Sequence, residues 1–331
     1  MSFQNVAIIG AGSWGTALAV PLLANHLPVT IWGHDAKHIA RVAAARENAA
    51  YLPGVALPEA LRFTHELDDL RGCDLVLLVT PSKAVREVAS RLSAAGLRED
   101  AALLSCTKGV ERGSGLRMSE IIAECFPGNP VGVLSGPSHA EEVARQMPTA
   151  LVLGCRDGAL AKRLQQAFST PSFRAYTSDD VAGIELGGAL KNIFALAAGV
   201  SDGLGLGDNS KAALVTRALA ELSRLGTALG GRRETFRGLS GLGDLMVTCF
   251  SKHSRNRAVG ERLGRGERLA DIVASMNMVA EGVPTTYSAH ECAVRFGIET
   301  PIITQIRALL DGTISPRAAM ANLMGREAGA E

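Results

Sequence analysis

The sequence predicts an α/β domain with a mostly parallel sheet, followed by an all-α domain. Short apolar runs alternate with helical patterns in the first part of the chain, as expected of a parallel sheet buried on both faces. After residue 179 this alternation gives way to long helical patterns. A chain of 331 residues is also long for one hydrophobic core. We therefore predict two domains, residues 1–179 and 180–331.

Composition excludes several classes of protein. The chain has 34 Lys and Arg against 33 Asp and Glu, and its net charge of +1 offers no field for nucleic acid or an anionic membrane. The six cysteines are scattered, without a C-x-x-C pair or a preceding secretory segment, which favours reduced thiols in the cytoplasm. The apolar runs are interrupted before membrane-spanning length. His34 and His38, one helical turn apart, lack nearby Cys or acidic partners, so we expect a surface helix and no metal.

The first motif is a strand, a glycine turn and a helix at residues 3–19. Gly10 permits the tight turn, Gly12 lets a pyrophosphate approach the backbone, and Gly15 lets the helix pack closely on its strand. This pattern predicts a Rossmann-type dinucleotide site, with the phosphates at the helix N-terminus. A structural glycine turn in another α/β protein is the alternative. Trp14 lies either beneath a cofactor or second domain, or packed under its own helix.

The second strand, predicted at residues 28–32, ends without the acid that usually binds the ribose 2′-hydroxyl of NAD. Gly33 and His34 occupy its end, and Asp35 resembles a helix cap. NADPH is therefore expected to be usable, with His34 against its 2′-phosphate or adenine, unless His34 is a plain turn residue. We also predict a helix over residues 41–50.

Three further strand ends carry polar residues at the edge where parallel sheets bind ligands. The strands are predicted at residues 75–79, 101–106 and 131–134, and another follows at 150–153. Lys108 follows the second of them and could meet an anionic or carbonyl oxygen, although exposed loop lysines are common. The serines and glycine of residues 135–140 could donate to a phosphate, or they form a turn and N-cap.

The segment 181–200 is apolar on nearly every face, which predicts a helix buried all round. Lys191 is its one cationic side chain. A buried ammonium is costly unless it is paired or used, which makes Lys191 the best candidate for general acid–base chemistry. The alternative is a lysine whose amine extends out to solvent. A glycine-rich turn is predicted next, at residues 201–209.

Two further segments of the helical part carry polar side chains. In the glycine segment at residues 239–248, Asp244 and Thr248 share a helix face. At residues 251–257 a guanidinium flanked by Ser and Asn suits a phosphate dianion, and a solvated loop is the alternative. Glu281 is the one acid of a predicted loop at 279–284. Helices are predicted at residues 211–224, 285–296 and 301–310, and a last one begins at Ser315-Pro316.

These motifs together resemble the bacterial-type NAD(P)-dependent sn-glycerol-3-phosphate dehydrogenases. They occur in order along nearly the whole chain and are highly specific as a set. They are Gly-Ala-Gly-Ser-Trp-Gly-Thr-Ala at 10–17, Cys-Thr-Lys-Gly at 106–109, Ser-Gly-Pro-Ser at 135–138, Leu-Lys-Asn at 190–192, Gly-Leu-Gly-Asp-Asn at 205–209, Gly-Leu-Gly-Asp-Leu at 241–245, Ser-Arg-Asn at 254–256 and Val-Ala-Glu-Gly at 279–282.

The resemblance implies a role for each matching position. Lys191 is implied as the catalytic acid–base. Substrate contacts are implied for Lys108, Gly136, Ser138, Lys191, Asp244, Ser254, Arg255 and Asn256. Cofactor contacts are implied for Ser13, Trp14, His34, Lys108, Ala140, Arg255, Val279 and Glu281, beside the turn glycines Gly10, Gly12 and Gly15. Many members carry an arginine near the end of the second strand, where this chain has Gly33-His34, so either NADP or NAD is expected.

The implied reaction is reversible hydride transfer between NAD(P)H and dihydroxyacetone phosphate, for phospholipid synthesis in the cytoplasm. We expect the substrate between the domains with its phosphate on Arg255 and Asn256, a proton from Lys191, and electrostatic help from Lys108. Asp244 would orient Lys191 or a substrate hydroxyl. A homodimer is also expected. Two alternatives are a β-hydroxyacid dehydrogenase, in which an Asn typically follows the lysine by four residues rather than directly, and a non-catalytic NADPH sensor.

Overall fold

A computed structural model describes residues 2–276 and 278–327. The chain divides into two compact units, and the boundary between them falls within one long helix. The predicted boundary at 179/180 differs from this division at two places. Residues 180–185 belong to the first unit, and Gly109–Gly115 belongs to the second. The first unit is Met1–Lys108 with Leu116–Glu185, and the second is Gly109–Gly115 with Leu186–Glu331.

The first unit is built on an eight-stranded sheet with helices between the strands. Its order is β3-β2-β1-β4-β5-β6-β7-β8, and every neighbouring pair is parallel except β6 with β7. The mostly parallel sheet predicted from the apolar runs is therefore confirmed. The strands are β1 Val6–Ile9, β2 Val29–Trp32, β3 Arg62–Thr64, β4 Leu75–Leu78, β5 Ala102–Ser105, β6 Val131–Ser135, β7 Thr149–Gly154 and β8 Phe173–Ser178.

The two outermost strands, β3 and β8, were not predicted. In β8, Phe173 and Ala175 are buried whereas Arg174 and Tyr176 are exposed, and β3 has only three residues. An edge strand covered on one face lacks the continuous apolar run of a central parallel strand. Its sequence signal is correspondingly weaker.

One predicted helix of the first unit has the wrong bounds. The helix expected at 41–50 spans Ala36–Ala45, because the Asp35 side chain accepts hydrogen bonds from two backbone N–H groups and starts it early. Arg46, at φ 50°, ends it in the left-handed region. His38 was expected on the surface but is buried, its ring centroid 5.1 Å from that of Tyr51. The helices of this unit are α1 Ser13–Ala24, α2 Ala36–Ala45, α3 Val85–Ala94, α4 Met118–Cys125, α5 Ala140–Ala144 and α6 Gly158–Phe168.

The long helix α7, Val181–Gly203, forms the centre of the helical unit. Every residue from 183 to 200 is buried, which confirms the expectation from its apolar sequence. Residues 201–203, predicted as part of a turn, continue the helix. Over the described ranges 2–276 and 278–327, α7 is the one helix long and apolar enough to span a membrane, and 94% of its apolar window is buried in the protein. Such burial is typical of a core helix.

All the regular elements that the structure describes in the second unit are helical, which confirms the predicted all-α part. A π-helical segment, Leu239–Gly243, precedes α9. The helix expected at 285–296 begins earlier, at Gly282, so part of the predicted loop is its first turn. After α7 the helices are α8 Asp208–Ala228, α9 Asp244–Phe250, α10 Arg255–Gly264, α11 Leu269–Ala274, α12 Gly282–Phe296, α13 Pro301–Leu310 and α14 Pro316–Met324.

Helices α7 and α10 are in backbone contact through glycines. A Cβ built on Gly199 would lie 2.0 Å from the carbonyl oxygen of Arg257, and one on Gly260 would lie 2.0 Å from that of Leu196. No other residue type fits at either position without separating the helices. The contact brings the first turn of α10 close to the C-terminal part of α7.

Candidate active site

The glycine turn after β1 has the geometry that the motif requires. Gly10 has φ +128°, and a Cβ on it would lie 2.6 Å from the carbonyl oxygen of Val79. A Cβ on Gly15 would lie 2.0 Å from the carbonyl oxygen of Gly10. A Cβ on Gly12, the N-cap of α1, would meet nothing within 4 Å. Gly10 and Gly15 therefore serve packing, whereas Gly12 leaves open space at a helix N-terminus.

This turn fits the pyrophosphate of a dinucleotide. Helix N-termini favour anions, and an uncluttered glycine lets phosphate oxygens reach the backbone. Trp14, in the same turn, is half-buried and packs against the core of its own unit. Its indole Nε1 is buried and has no hydrogen-bond partner among residues 2–276 and 278–327. The ring of Trp14 thus packs within its own unit.

The end of β2 carries no acid available for a ribose 2′-hydroxyl. His34 is exposed there, directly after the buried Gly33. The Asp35 carboxylate caps α2 by accepting from the N–H groups of Lys37 and His38, and the His38 bond lowers the pKa of Asp35. Oδ1 of this carboxylate is thus used by the backbone of its own helix.

A cluster of three predicted substrate residues forms where β5 and β6 end. Nζ of Lys108 donates to the carbonyl oxygen of Gly136 at 3.1 Å, and Oγ of Ser138 donates to the same oxygen at 2.9 Å. Gly136 has φ +140°, and a Cβ on it would lie 2.7 Å from Cβ of Leu151, so the position requires glycine. Ala140, implied as a cofactor contact, is the first residue of α5, which follows this cluster along the chain.

In the second unit, Lys191 is held by α9. Its Nζ donates to Oδ1 of Asp244 at 2.6 Å and to Oγ1 of Thr248 at 2.5 Å. The Lys191 and Asp244 side chains are only 8% and 1% exposed, so little solvent screens the pair. The alternative of a lysine that extends to solvent is therefore wrong.

Thr248 presents an acceptor to the amine. Its hydroxyl donates to the backbone carbonyl of Asp244, one turn earlier, at 2.6 Å. With its proton engaged there, the oxygen turns a lone pair towards Nζ of Lys191. The sequence signal for Thr248 was its spacing of four residues from Asp244, and no functional role was inferred from it.

The thiol of Cys249 is buried close to this ion pair, and its pKa is raised. Burial raises the pKa of Cys249 to about 12, an effect that Lys191 opposes. Cys249 is fully buried, so the pair lies beside an apolar interior. In such surroundings electrostatic interactions are stronger than in water.

The predicted phosphate-binding residues lie at the start of α10. Ser254 caps that helix, its Oγ accepting from the N–H of Arg257 at 3.2 Å. Nη1 of Arg255 donates to the carbonyl oxygen of Val279 at 2.8 Å. Nδ2 of Asn256 donates to Oδ1 of Asn192 at 2.9 Å, which joins α10 to the residue that follows Lys191.

The Val279–Gly282 segment is hydrogen-bonded to Arg255 and Asn256. The backbone N–H of Gly282 donates to Oδ1 of Asn256 at 2.8 Å, so the buried side-chain amide of Asn256 is hydrogen-bonded through both its oxygen and its nitrogen. Glu281 is the N-cap residue of α12. Residues implied for cofactor and for substrate are thus joined by hydrogen bonds within one unit. The part played by Asn192 in this arrangement was not predicted.

No group of three or more His, Cys, Asp or Glu side chains within 2–276 and 278–327 could hold a metal ion. The six cysteines, all within the described ranges, are free thiols, and all but Cys125 are buried.

Comparison with known proteins gives one family over both units. A model described as the NAD-dependent glycerol-3-phosphate dehydrogenase N-terminus matches residues 5–161, and the corresponding C-terminus model matches residues 180–321. Glycerol-3-phosphate dehydrogenases [NAD(P)+] of Geobacter sulfurreducens and Syntrophotalea carbinolica are 46% and 47% identical over 99% of both chains. The crystal structure of a glycerol-3-phosphate dehydrogenase from Coxiella burnetii, 38% identical, gives a TM-score of 0.94 and covers 98% of this chain and 99% of its own.

Proposed function

Because the chain belongs to the NAD-dependent glycerol-3-phosphate dehydrogenase family, we propose that it reversibly reduces dihydroxyacetone phosphate to sn-glycerol 3-phosphate with NADH or NADPH. The observation that carries this proposal is the buried amine of Lys191, paired with Asp244 and Thr248 on the face of α9. The family match disfavours both a β-hydroxyacid dehydrogenase and a non-catalytic sensor.

The protein's own residues handle the proton. When bound, the nicotinamide cofactor supplies the hydride that C2 of the substrate receives. Negative charge then develops on the C2 oxygen, and the Lys191 ammonium donates a proton to it. Asp244 and Thr248 hold the amine in place. In the oxidation direction the same amine accepts the proton.

A second set of residues would bind the substrate's phosphate. Arg255 offers a guanidinium and Asn256 an amide NH₂ group at the start of α10. Charge-assisted hydrogen bonds of this kind give both affinity and orientation. Ser254 would join them, and Lys108, Gly136 and Ser138 are proposed as further substrate contacts. Lys108 would add electrostatic stabilisation of the developing oxyanion.

The cofactor would lie on the glycine turn of β1 and α1. The open space at Gly12 would accommodate the pyrophosphate, and Trp14 of the same motif would contact the cofactor. Without an available acid after β2, NADPH is accepted as well as NADH. We propose that His34 lies along the 2′-phosphate or adenine, and that Ala140, Arg255, Val279 and Glu281 complete the contacts.

We also make a proposal for the compartment, the oligomeric state and the metabolic role of the enzyme. We propose that the enzyme works in the cytoplasm as a homodimer and supplies the glycerol phosphate backbone for phospholipid synthesis. We propose that residues 1–179 bind the cofactor and that residues 180–331 carry out catalysis.

One assay tests the activity. Purified protein is mixed with dihydroxyacetone phosphate and either NADH or NADPH, and absorbance of the reduced nicotinamide is followed. We expect consumption that depends on the phosphorylated substrate with both cofactors. Tight NADPH binding without turnover would instead support a non-catalytic sensor. Turnover of a β-hydroxyacid alone would support a β-hydroxyacid dehydrogenase.

A further inference from the structure

A carboxylate near the end of α7 holds two cations. Oδ1 of Asp202 lies 2.6 Å from Nζ of Lys211, and Oδ2 accepts a hydrogen bond of 2.6 Å from Nε of Arg257. The three side chains are 17%, 10% and 17% exposed, so water screens them little. We call these three residues the Asp202 cluster.

The cluster joins three helices at their ends. Asp202 lies in the last turn of α7, Lys211 in the first turn of α8, and Arg257 in the first turn of α10. Arg257 follows Arg255 and Asn256 directly, and its backbone N–H donates to the capping Oγ of Ser254. Asp202 therefore fixes the turn that presents the proposed phosphate ligands.

The ion pair lies where the helix backbones touch. Gly199 and Gly203 flank Asp202 on α7, and a Cβ on Gly203 would lie 2.2 Å from the carbonyl oxygen of Glu261 on α10. The bond between Asp202 and Arg257 is a second directional restraint on this contact, beside the bond between Asn256 and Asn192.

The cluster also reaches α9. Nζ of Lys211 lies 5.2 Å from the ring centroid of Phe250, the last residue of the helix that carries Asp244 and Thr248. This cation–π contact connects the cluster to the helix that holds the catalytic amine. The cluster thus contacts each helix that contributes to substrate chemistry in the second unit.

We propose that Asp202 is a positioning residue that sets where the phosphate ligands of α10 lie relative to Lys191. This inference rests on the proposed function, since it specifies how that site selects a phosphorylated three-carbon substrate. Asp202 does not touch the substrate itself. Its loss would displace Arg255 and Asn256, which bind the phosphate, more than it would disturb the amine.

The test compares two substrates that differ only in the phosphate. Asp202→Asn keeps the shape but removes the charge that holds both cations. Its KM for dihydroxyacetone phosphate is expected to rise roughly 10- to 100-fold, the range that misplaced binding groups produce. Its kcat/KM for dihydroxyacetone, measured at high enzyme concentration, should stay unchanged. The matched control is Asp311→Asn, which removes an exposed carboxylate that also has two partners, Arg307 and Tyr287.

A second variant keeps the test decisive if Asp202→Asn does not fold. Arg257→Lys keeps the charge but cannot reproduce the hydrogen bond from Nε, so it should show the same selective rise in KM. Equal losses with both substrates, an unchanged KM, or failure of both variants to fold would overturn the positioning role. If the wild-type enzyme did not reduce dihydroxyacetone phosphate, the proposed function itself would be wrong, which separates the two failures.

Discussion

The Nζ atom of Lys191 lies 2.6 Å from Oδ1 of Asp244, and both side chains are buried in the helical unit. The pair joins the middle of α7 to the first turn of α9. A buried charge pair of this kind is costly to assemble and more costly to break, because each charge depends on the other for solvation. Asn192, the residue after Lys191, is hydrogen-bonded to Asn256, one of the proposed phosphate ligands.

Lys191→Ala should abolish most turnover. General acid–base catalysis contributes roughly 10²–10⁴-fold, so kcat should fall by at least about 10²-fold. Cofactor binding should be almost unchanged, because the proposed dinucleotide contacts do not include Lys191. Steady-state kinetics and NADPH titration measure both quantities. Lys162→Ala, an exposed lysine of α6, is the control and should behave as wild type. Near-normal turnover in Lys191→Ala would remove the residue from its role.

Asp244→Asn should destabilise the fold as well as lower activity. Removing one partner of a buried pair leaves an uncompensated charge and costs about 3–5 kcal/mol. Thr248 still accepts from the amine, so the lower end of this range is expected. Urea unfolding measures the loss. The double variant Asp244→Asn with Lys191→Met should recover part of it, because the unpaired ammonium is gone. No recovery in the double variant would mean that the cost comes from packing.

Arg255→Ala should weaken binding of the phosphorylated substrate. A hydrogen bond to a charged group contributes about 1.5–3 kcal/mol, which corresponds to a rise in KM of roughly 10- to 100-fold. Initial rates over a range of dihydroxyacetone phosphate concentrations provide the measurement. Arg265→Ala, at the other end of α10 and paired with Glu261, is the matched control. An unchanged KM for Arg255→Ala would rule out its assignment to the phosphate.

Gly12→Ala should fold normally but bind the cofactor poorly. Its Cβ meets no protein atom within 4 Å, so the unfolding temperature should not change. The same methyl group would occupy the space proposed for the pyrophosphate and should weaken NADPH binding roughly tenfold. Calorimetric titration gives the dissociation constant. Gly72→Ala, whose Cβ also meets nothing within 4 Å, should bind NADPH as wild type does. Equal affinity in both variants would place the phosphates elsewhere.

Stability should depend on pH through Glu221. Burial raises the pKa of Glu221 from 4.5 to about 7, although the backbone N–H groups of Ile303 and Ile302 lower it. Between these values the folded protein binds more protons than the unfolded chain, so Glu221 makes stability fall as pH rises from 4.5 to about 7. The loss is about 2–4 kcal/mol.

Glu221→Gln removes this titration. The difference in unfolding free energy between wild type and variant, measured by urea unfolding at several pH values from 4.5 to 8, should therefore change by that amount. A difference that is constant with pH would show that the carboxylate ionises normally in the folded state.

The sequence alone predicted the elements whose signals are local. The glycine turn at Gly10–Gly15 and the apolar helix around Lys191 are written in consecutive residues, because the constraints on turns and on buried helices act over a few positions. The same holds for the chemistry of the Ser254–Asn256 run. The sequence did not predict the edge strand β8, which is buried on one face only. It also did not predict the true start of α2, which is decided by the capping bonds of Asp35.

Only the tertiary structure decided which of these residues meet. Lys191 and Asp244 are far apart along the chain, and their contact depends on how α9 packs against α7. The bonds from Asn256 to Asn192 and Gly282, and from Asp202 to Arg257, depend likewise on the close crossing of α7 and α10. Periodicity reports which face of a helix is buried but not its partner or its register, since those depend on the packing of the whole unit. The sequence therefore determined the chemical groups, and the fold determined their distances.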